Sequence, residues 1–101
     1  MSLLILQTQS PQHSLAKDSY GVISTAAMLD QEVSVVFCGE GLQQLENADF
    51  LEQLKTCEEF GVKAIYACVS STDINLPTSV KPIASEKLSY LIHQHTAVLS
   101  F

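Results

Sequence analysis

The stretch "YACVSSTD", residues 66 to 73, carries an apolar run up to a thiol, Cys68, and then passes at once into hydroxyls and a carboxylate. A thiolate at such a boundary can attack or accept sulfur, because the ionised form is the nucleophile. Ser70 and Asp73 have the spacing of a capping box, which predicts a short helical turn just past the thiol. The amide N–H groups of that turn would point back at the sulfur and lower its pKa from about 8.5 toward neutrality, with Asp73 opposing them if it lies close. The competing reading is plain packing. Free cysteine is among the most buried residue types and behaves as a small hydrophobe.

Other residues with chemical potential lie elsewhere along the chain. Cys38 also ends an apolar run, just before Gly39 and Gly41. "CGEG" is too short for a phosphate cradle and lacks the lysine or hydroxyl that such loops recruit, so a tight turn is expected. Cys57 falls on the inner face of a helical pattern and reads as core. His13 follows the first apolar run, where it could approach Cys68 as base or cationic neighbour, or simply occupy a surface loop. His93 and His95 are two residues apart, whereas ligands sharing a helix face are three or four apart, so no metal site is expected. Asp18, Glu58 and Glu59 read as solvated charge on helices.

The three cysteines are separated by 19 and 11 residues, which fits neither a disulfide framework nor paired CxxC ligation of zinc. Free thiols in a reducing compartment are expected.

Positioning these groups requires a scaffold, and the hydrophobic pattern supplies one. "LLILQT" (3 to 8), "VSVVFC" (33 to 38), "VKAIYACV" (62 to 69) and "AVLSF" (97 to 101) are short apolar runs, several rich in β-branched or aromatic residues, and are read as strands. Apolar character on both faces suggests a parallel sheet covered by helices on each side. Between the first two runs, Ala16, Tyr20, Ile23 and Ala27 recur at helical spacing. A second helix is predicted with Asp49 as N-cap, Glu52 three residues on, an inner face of Phe50, Leu51, Leu54 and Cys57, and a left-handed cap at Gly61. A third begins at Ser85, with Glu86 at its positive end, Leu88, Leu91 and Ile92 facing inward, and His93 near its negative end. Val80 to Ala84 could form a short strand, confined by two prolines to an edge, or a loop.

This alternation implies one domain, residues 1–101, with a three-layer α/β/α architecture, right-handed crossovers and a mainly parallel sheet of four to five strands. In open parallel sheets, ligands gather beyond the carboxyl ends of the strands. The loops after residues 8, 38 and 68 should therefore meet at one rim.

Composition narrows the function further. The chain has 47% hydrophobic and only 16% charged residues, an apolar excess suggesting burial against another subunit. Its net charge is −6, and all five basic residues are lysines. Direct nucleic-acid binding and an anionic membrane surface are both disfavoured. The segment "MSLLILQTQS" lacks a basic n-region, and its apolar stretch is too short for a membrane span, so a cytoplasmic protein is expected.

In the order and spacing of "SPQHSLAKDSYG", "VSVVFCGEGLQQL", "EEFGVKAIYACVSS" and "HTAVLSF", the whole chain resembles the DsrE/DsrF-like family, most of all its DsrF/TusC branch. The resemblance implies a subunit of a cytoplasmic sulfur relay of the TusBCD or DsrEFH type, serving tRNA 2-thiolation or sulfur oxidation through cysteine persulfides. It implies homologous DsrE/TusD-type and DsrH/TusB-type subunits as partners in a heterohexamer, or self-association instead, together with sulfur donor and acceptor proteins. No metal or organic cofactor is implied.

By the same resemblance, Cys68 stands where the principal persulfide cysteine of the DsrE/TusD-type subunit lies, making it the candidate catalytic residue. The DsrF/TusC branch implies a mainly architectural role instead, and "STDINLPTS" lacks the basic stretch that often follows the family's cysteine. Two further readings stand beside the relay: an oligomeric interaction domain without catalysis, and a small-molecule-binding α/β domain.

Overall fold

Strand propensity and helix capping together explain the element order. The computed structural model describes residues 2–29, 32–69, 76, 77 and 79–101. Strand β1 (Ser2–Gln7) leads through helix α1 (Ser14–Met28) to β2 (Glu32–Phe37). A 3-10 helix (Gly39–Glu46) and α2 (Ala48–Glu59) then lead to β3 (Ala64–Cys68). The chain continues through β4 (Val80–Ile83), α3 (Ser85–Gln94) and β5 (Ala97–Ser100). The sheet has five strands in the order β4-β3-β2-β1-β5, and each adjacent pair is parallel. The expected α/β fold with a parallel sheet is therefore present.

The proline-bearing segment is a strand and occupies an edge. Pro82 lies opposite Ala67 in β3, and among the described residues β4 has no neighbour on its other side, so the missing N–H costs no ladder bond there.

Side chains alternate across the strands and divide the molecule into unequal halves. Leu3, Ile5, Val33, Val35, Phe37, Ile65, Ala67 and Val80 face α1 and α2, where they pack with Ala16, Tyr20, Ile23, Phe50, Leu54 and Cys57. Each large side chain fully buried there contributes roughly 1.5–3 kcal/mol. The other face carries Leu4, Ser34, Val36, Ala64 and Tyr66. Helix α3 lies against this face, since Leu91, Gln94 and His95 share a cavity with Ser34, Ala64 and Tyr66. No residue of α3 is fully buried. Leu88, Leu91 and Ile92 do turn inward, but only to half-burial, because one helix spans a face that two helices cover on the opposite side.

The caps of α2 show how the chain enters and leaves a helix. Asn47, in extended conformation, accepts the N–H groups of Asp49 at 3.0 Å and Phe50 at 3.2 Å through its side-chain oxygen. The N-cap is thus Asn47 and not Asp49. Asp49 lies inside the first turn, where its carboxylate meets the positive end of the helix dipole. At the other end Gly61 takes φ 110°, the Gly61 N–H reaches the Glu58 carbonyl at 3.0 Å, and the Val62 N–H reaches the Cys57 carbonyl at 3.4 Å. This paired bonding is a Schellman arrangement, and it requires a residue at ease with positive φ. No helix among the described residues is long and apolar enough to cross a membrane.

Candidate functional site

Cys68 is the last residue of β3, and Cys38 follows directly on the last residue of β2. The register sets Phe37 opposite Ala67, so one further step along both strands sets Cys38 beside Cys68. Cys38 is itself extended (φ −145°, ψ 156°), and its N–H still bonds the Gln7 carbonyl of β1 at 3.0 Å. Alternation therefore carries through it. Phe37 and Ala67 point into the α1/α2 core, so both cysteines project from the opposite face, the one that α3 crosses. Both are free and half-buried.

The proximity has an electrostatic signature. Burial pushes the Cys38 thiol above its ordinary range, and the neighbouring Cys68 adds to that shift by disfavouring a second negative charge. On its other side Cys68 lies opposite Ile83 of β4, and the Val69 N–H bonds the Ile83 carbonyl at 3.1 Å. Two residues after Ile83, α3 begins at Ser85, and its N-cap residue Ala84 provides no side-chain acceptor.

The rim beneath the thiols is held by a buried polar network. Gln7 donates through Nε2 to Ser19 Oγ at 2.6 Å, and that hydroxyl donates to the Ala16 carbonyl at 2.7 Å. Tyr20 donates to Gln44 Oε1 at 2.8 Å, and Gln44 Nε2 donates to the Gln9 carbonyl at 2.8 Å. These bonds tie the 3-10 helix, which starts from Cys38, to the carboxyl end of β1 and to α1. Gly39 makes the turn at φ 58°, and a Cβ at Gly41 would run into the Gln7 carbonyl. "CGEG" thus forms the expected turn and continues as a 3-10 helix, because its second glycine allows the backbone to settle against β1.

The other sequence candidates are dispersed. His13 accepts the Leu15 N–H through Nδ1 at 3.2 Å and so caps α1, on the side of the sheet away from Cys68. Cys57 is buried in the core, with Ser24 Oγ 3.3 Å from its sulfur. Burial raises its pKa, the Ser24 hydrogen bond lowers it, and Glu58 raises it. The Nδ1 atoms of His93 and His95 each lie 2.7 Å from backbone carbonyls, of Ser89 and Leu91 respectively. The capping box of Ser70 and Asp73 lies outside the described residues. An open groove of about 750 Å³ runs between the amino-terminal parts of α1 and α2 and is lined by Lys17, Asp49 and Glu52 among others. It is on the face opposite the thiols.

By sequence alone Cys38 reads only as the start of a tight turn, and its pairing with Cys68 is what the structure adds. Its signal lies in the carboxyl ends of "VVFC" and "YAC": superposing the two runs at those ends pairs their thiols. Only knowledge that β2 and β3 are parallel neighbours gives that superposition a meaning.

Compared with curated proteins, the sequence has no match. Eight chains of solved structures match, among them the crystal structure of the ychN protein from E. coli. That structure superposes with a TM-score of 0.82 at 14% sequence identity, covering 100% of this chain and 99% of the other. At this identity the likeness establishes the fold. The model of the DsrE/DsrF-like family matches residues 1–101, and the chain belongs to that family.

Proposed function

We propose that the chain is a subunit of a cytoplasmic sulfur-relay complex of the TusBCD or DsrEFH type, and that Cys68 carries sulfane sulfur as a persulfide. One observation carries the chemical half of this reading: Cys68 stands half-exposed at the carboxyl rim of a parallel sheet, where such folds place reactive groups. Attack by the Cys68 thiolate on the terminal sulfur of a donor persulfide forms the new S–S bond and releases the donor thiolate. A second exchange passes the sulfur on. Neither step requires a metal or an organic cofactor.

The test is intact-mass measurement after incubation with a persulfide donor. Sulfur addition to the wild type that disappears in Cys68→Ser supports the assignment; no addition, or equal addition to both proteins, rejects it. Cys57, sealed in the core, is an internal control for accessibility.

A second reading, an architectural subunit without chemistry of its own, is favoured by exposed apolar side chains. Met28 is 62% exposed, Leu29 67% and Tyr90 61%, and edge strand β5 leaves Leu99 43% exposed. A complex with homologous subunits, or self-association, would cover such surface. On this reading Cys68→Ser assembles normally and its complex transfers sulfur as well as wild type. A protein that stays monomeric beside its homologous partners excludes it.

A further inference from the structure

Parallel neighbours in a sheet stand about 4.8 Å apart. One step past the Phe37–Ala67 pair, that spacing brings Cys38 and Cys68 within reach of a single sulfur atom shared between the two thiols. Two S–S bonds laid end to end, each about 2.05 Å and longer in a transition state, span a little over 4 Å. Register-paired side chains on the same face are therefore placed for passage of one sulfur between them.

Resting on the relay reading above, we propose that Cys38 is a second station for the sulfane sulfur, which passes from Cys68 to Cys38 across the β2–β3 ladder within one subunit. The step balances without an oxidant or reductant. The Cys38 proton moves to the terminal sulfur of the Cys68 persulfide anion, and Cys38 Sγ attacks that sulfur. The S–S bond at Cys68 breaks, Cys68 Sγ leaves with the electron pair as a thiolate, and the persulfide now stands on Cys38. The number of sulfane sulfurs and the total charge are unchanged.

The surroundings set the order of the two stations. Cys38 directly follows inner strand β2, which lies between β1 and β3, whereas Cys68 has only edge strand β4 beyond it. Burial and the neighbouring sulfur keep the Cys38 thiol protonated, which disfavours it as the first acceptor from outside. Holding the thiols side by side converts the second transfer into an intramolecular step, with the rate advantage of fixed proximity.

The full chain, loaded with glutathione persulfide carrying isotopically labelled sulfane sulfur, is quenched with an alkylating agent over time and mapped by peptide mass spectrometry. Label is expected first on Cys68 and later on Cys38. In Cys68→Ser, labelling of Cys38 slows by at least about tenfold, since the intramolecular route is lost. In Cys38→Ser the label stays on Cys68. Cys38→Ala and Cys68→Ala repeat the comparison with a side chain that makes no hydrogen bond. Label that loads Cys68 but never reaches Cys38 overturns this proposal and leaves the relay reading standing, as does Cys38 loading at the wild-type rate in Cys68→Ser with Cys68 also loading in wild type. A Cys38–Cys68 disulfide formed with release of hydrosulfide overturns it too. Absence of label from both cysteines overturns the relay reading along with it.

Discussion

Tyr20 of α1 donates its hydroxyl hydrogen to Oε1 of Gln44 in the 3-10 helix at 2.8 Å, with both side chains buried. The bond joins two segments with no backbone pairing between them, and the same amide reaches the Gln9 carbonyl through Nε2. Tyr20→Phe keeps the ring, including its 5.5 Å contact with Phe50, but leaves Gln44 Oε1 without its donor. A loss of about 1–3 kcal/mol in unfolding free energy is expected, measured by urea denaturation. Gln44→Leu removes these two bonds and the longer one from Gln44 Nε2 to Gln7 Oε1 (3.5 Å), and frees the turn that begins at Cys38, so Cys38 should alkylate faster than in wild type.

The same contacts show where the sequence was legible. Ala16, Tyr20, Ile23 and Ala27 are buried along one side of α1 as their spacing requires, and Phe50, Leu54 and Cys57 are buried along α2. Periodicity suffices there, because a helix face is a local property. The order of the strands is not local. It depends on which edges meet, and so the pairing of Cys38 with Cys68 was invisible. Gln7 and Gln44 were equally silent, since a buried amide is recognisable only by the partners that satisfy it.

The cap of α2 illustrates the remaining ambiguity. Asn47 and Asp49 are both good caps by residue type, and the spacing of Asp49 to Glu52 imitates a capping box. Extended backbone at Asn47 decides between them. Asn47→Ala should therefore cost about 0.5–2 kcal/mol, whereas Asp49→Asn should cost only a dipole contribution of roughly 0.3–1 kcal/mol that fades with added salt. Thermal denaturation of both variants at low and high ionic strength checks the ranking.

Alkaline pH should destabilise the fold. Cys38, Cys57 and Tyr20 all have raised pKa values, chiefly because burial disfavours their anions. The folded chain thus keeps these protons to higher pH than the unfolded chain does. The thiol contributions are fully present below the ordinary thiol pKa of about 8.5 and that of Tyr20 below about 10, and each is lost as pH rises toward the group's own folded value, so the thiols account for the loss below pH 10. Urea midpoints should fall between about pH 7 and pH 10, and Cys57→Ala should flatten that slope while lowering stability at neutral pH.

Helix α3 should open before the rest of the molecule. It spans the Cys38 and Cys68 face with no fully buried side chain, while α1 and α2 pack against one another and against a continuous core. Its apolar residues bury only part of their surface, so the stabilisation that holds α3 down is a fraction of the roughly 1.5–3 kcal/mol per side chain available on the other face. Local opening free energies follow buried apolar contact, and hydrogen exchange reads them segment by segment. The amides of Leu88 to Gln94 should exchange faster than those of Ala16 to Ala27 by at least about tenfold, a difference of roughly 1.4 kcal/mol in opening free energy. Equal protection of the two helices in the isolated chain would mean that α3 is held by more than its half-buried contacts. Protection of α3 that rises only when homologous subunits are added would place a subunit boundary on this face. Under the relay proposed above, that boundary would stand beside Cys38 and Cys68.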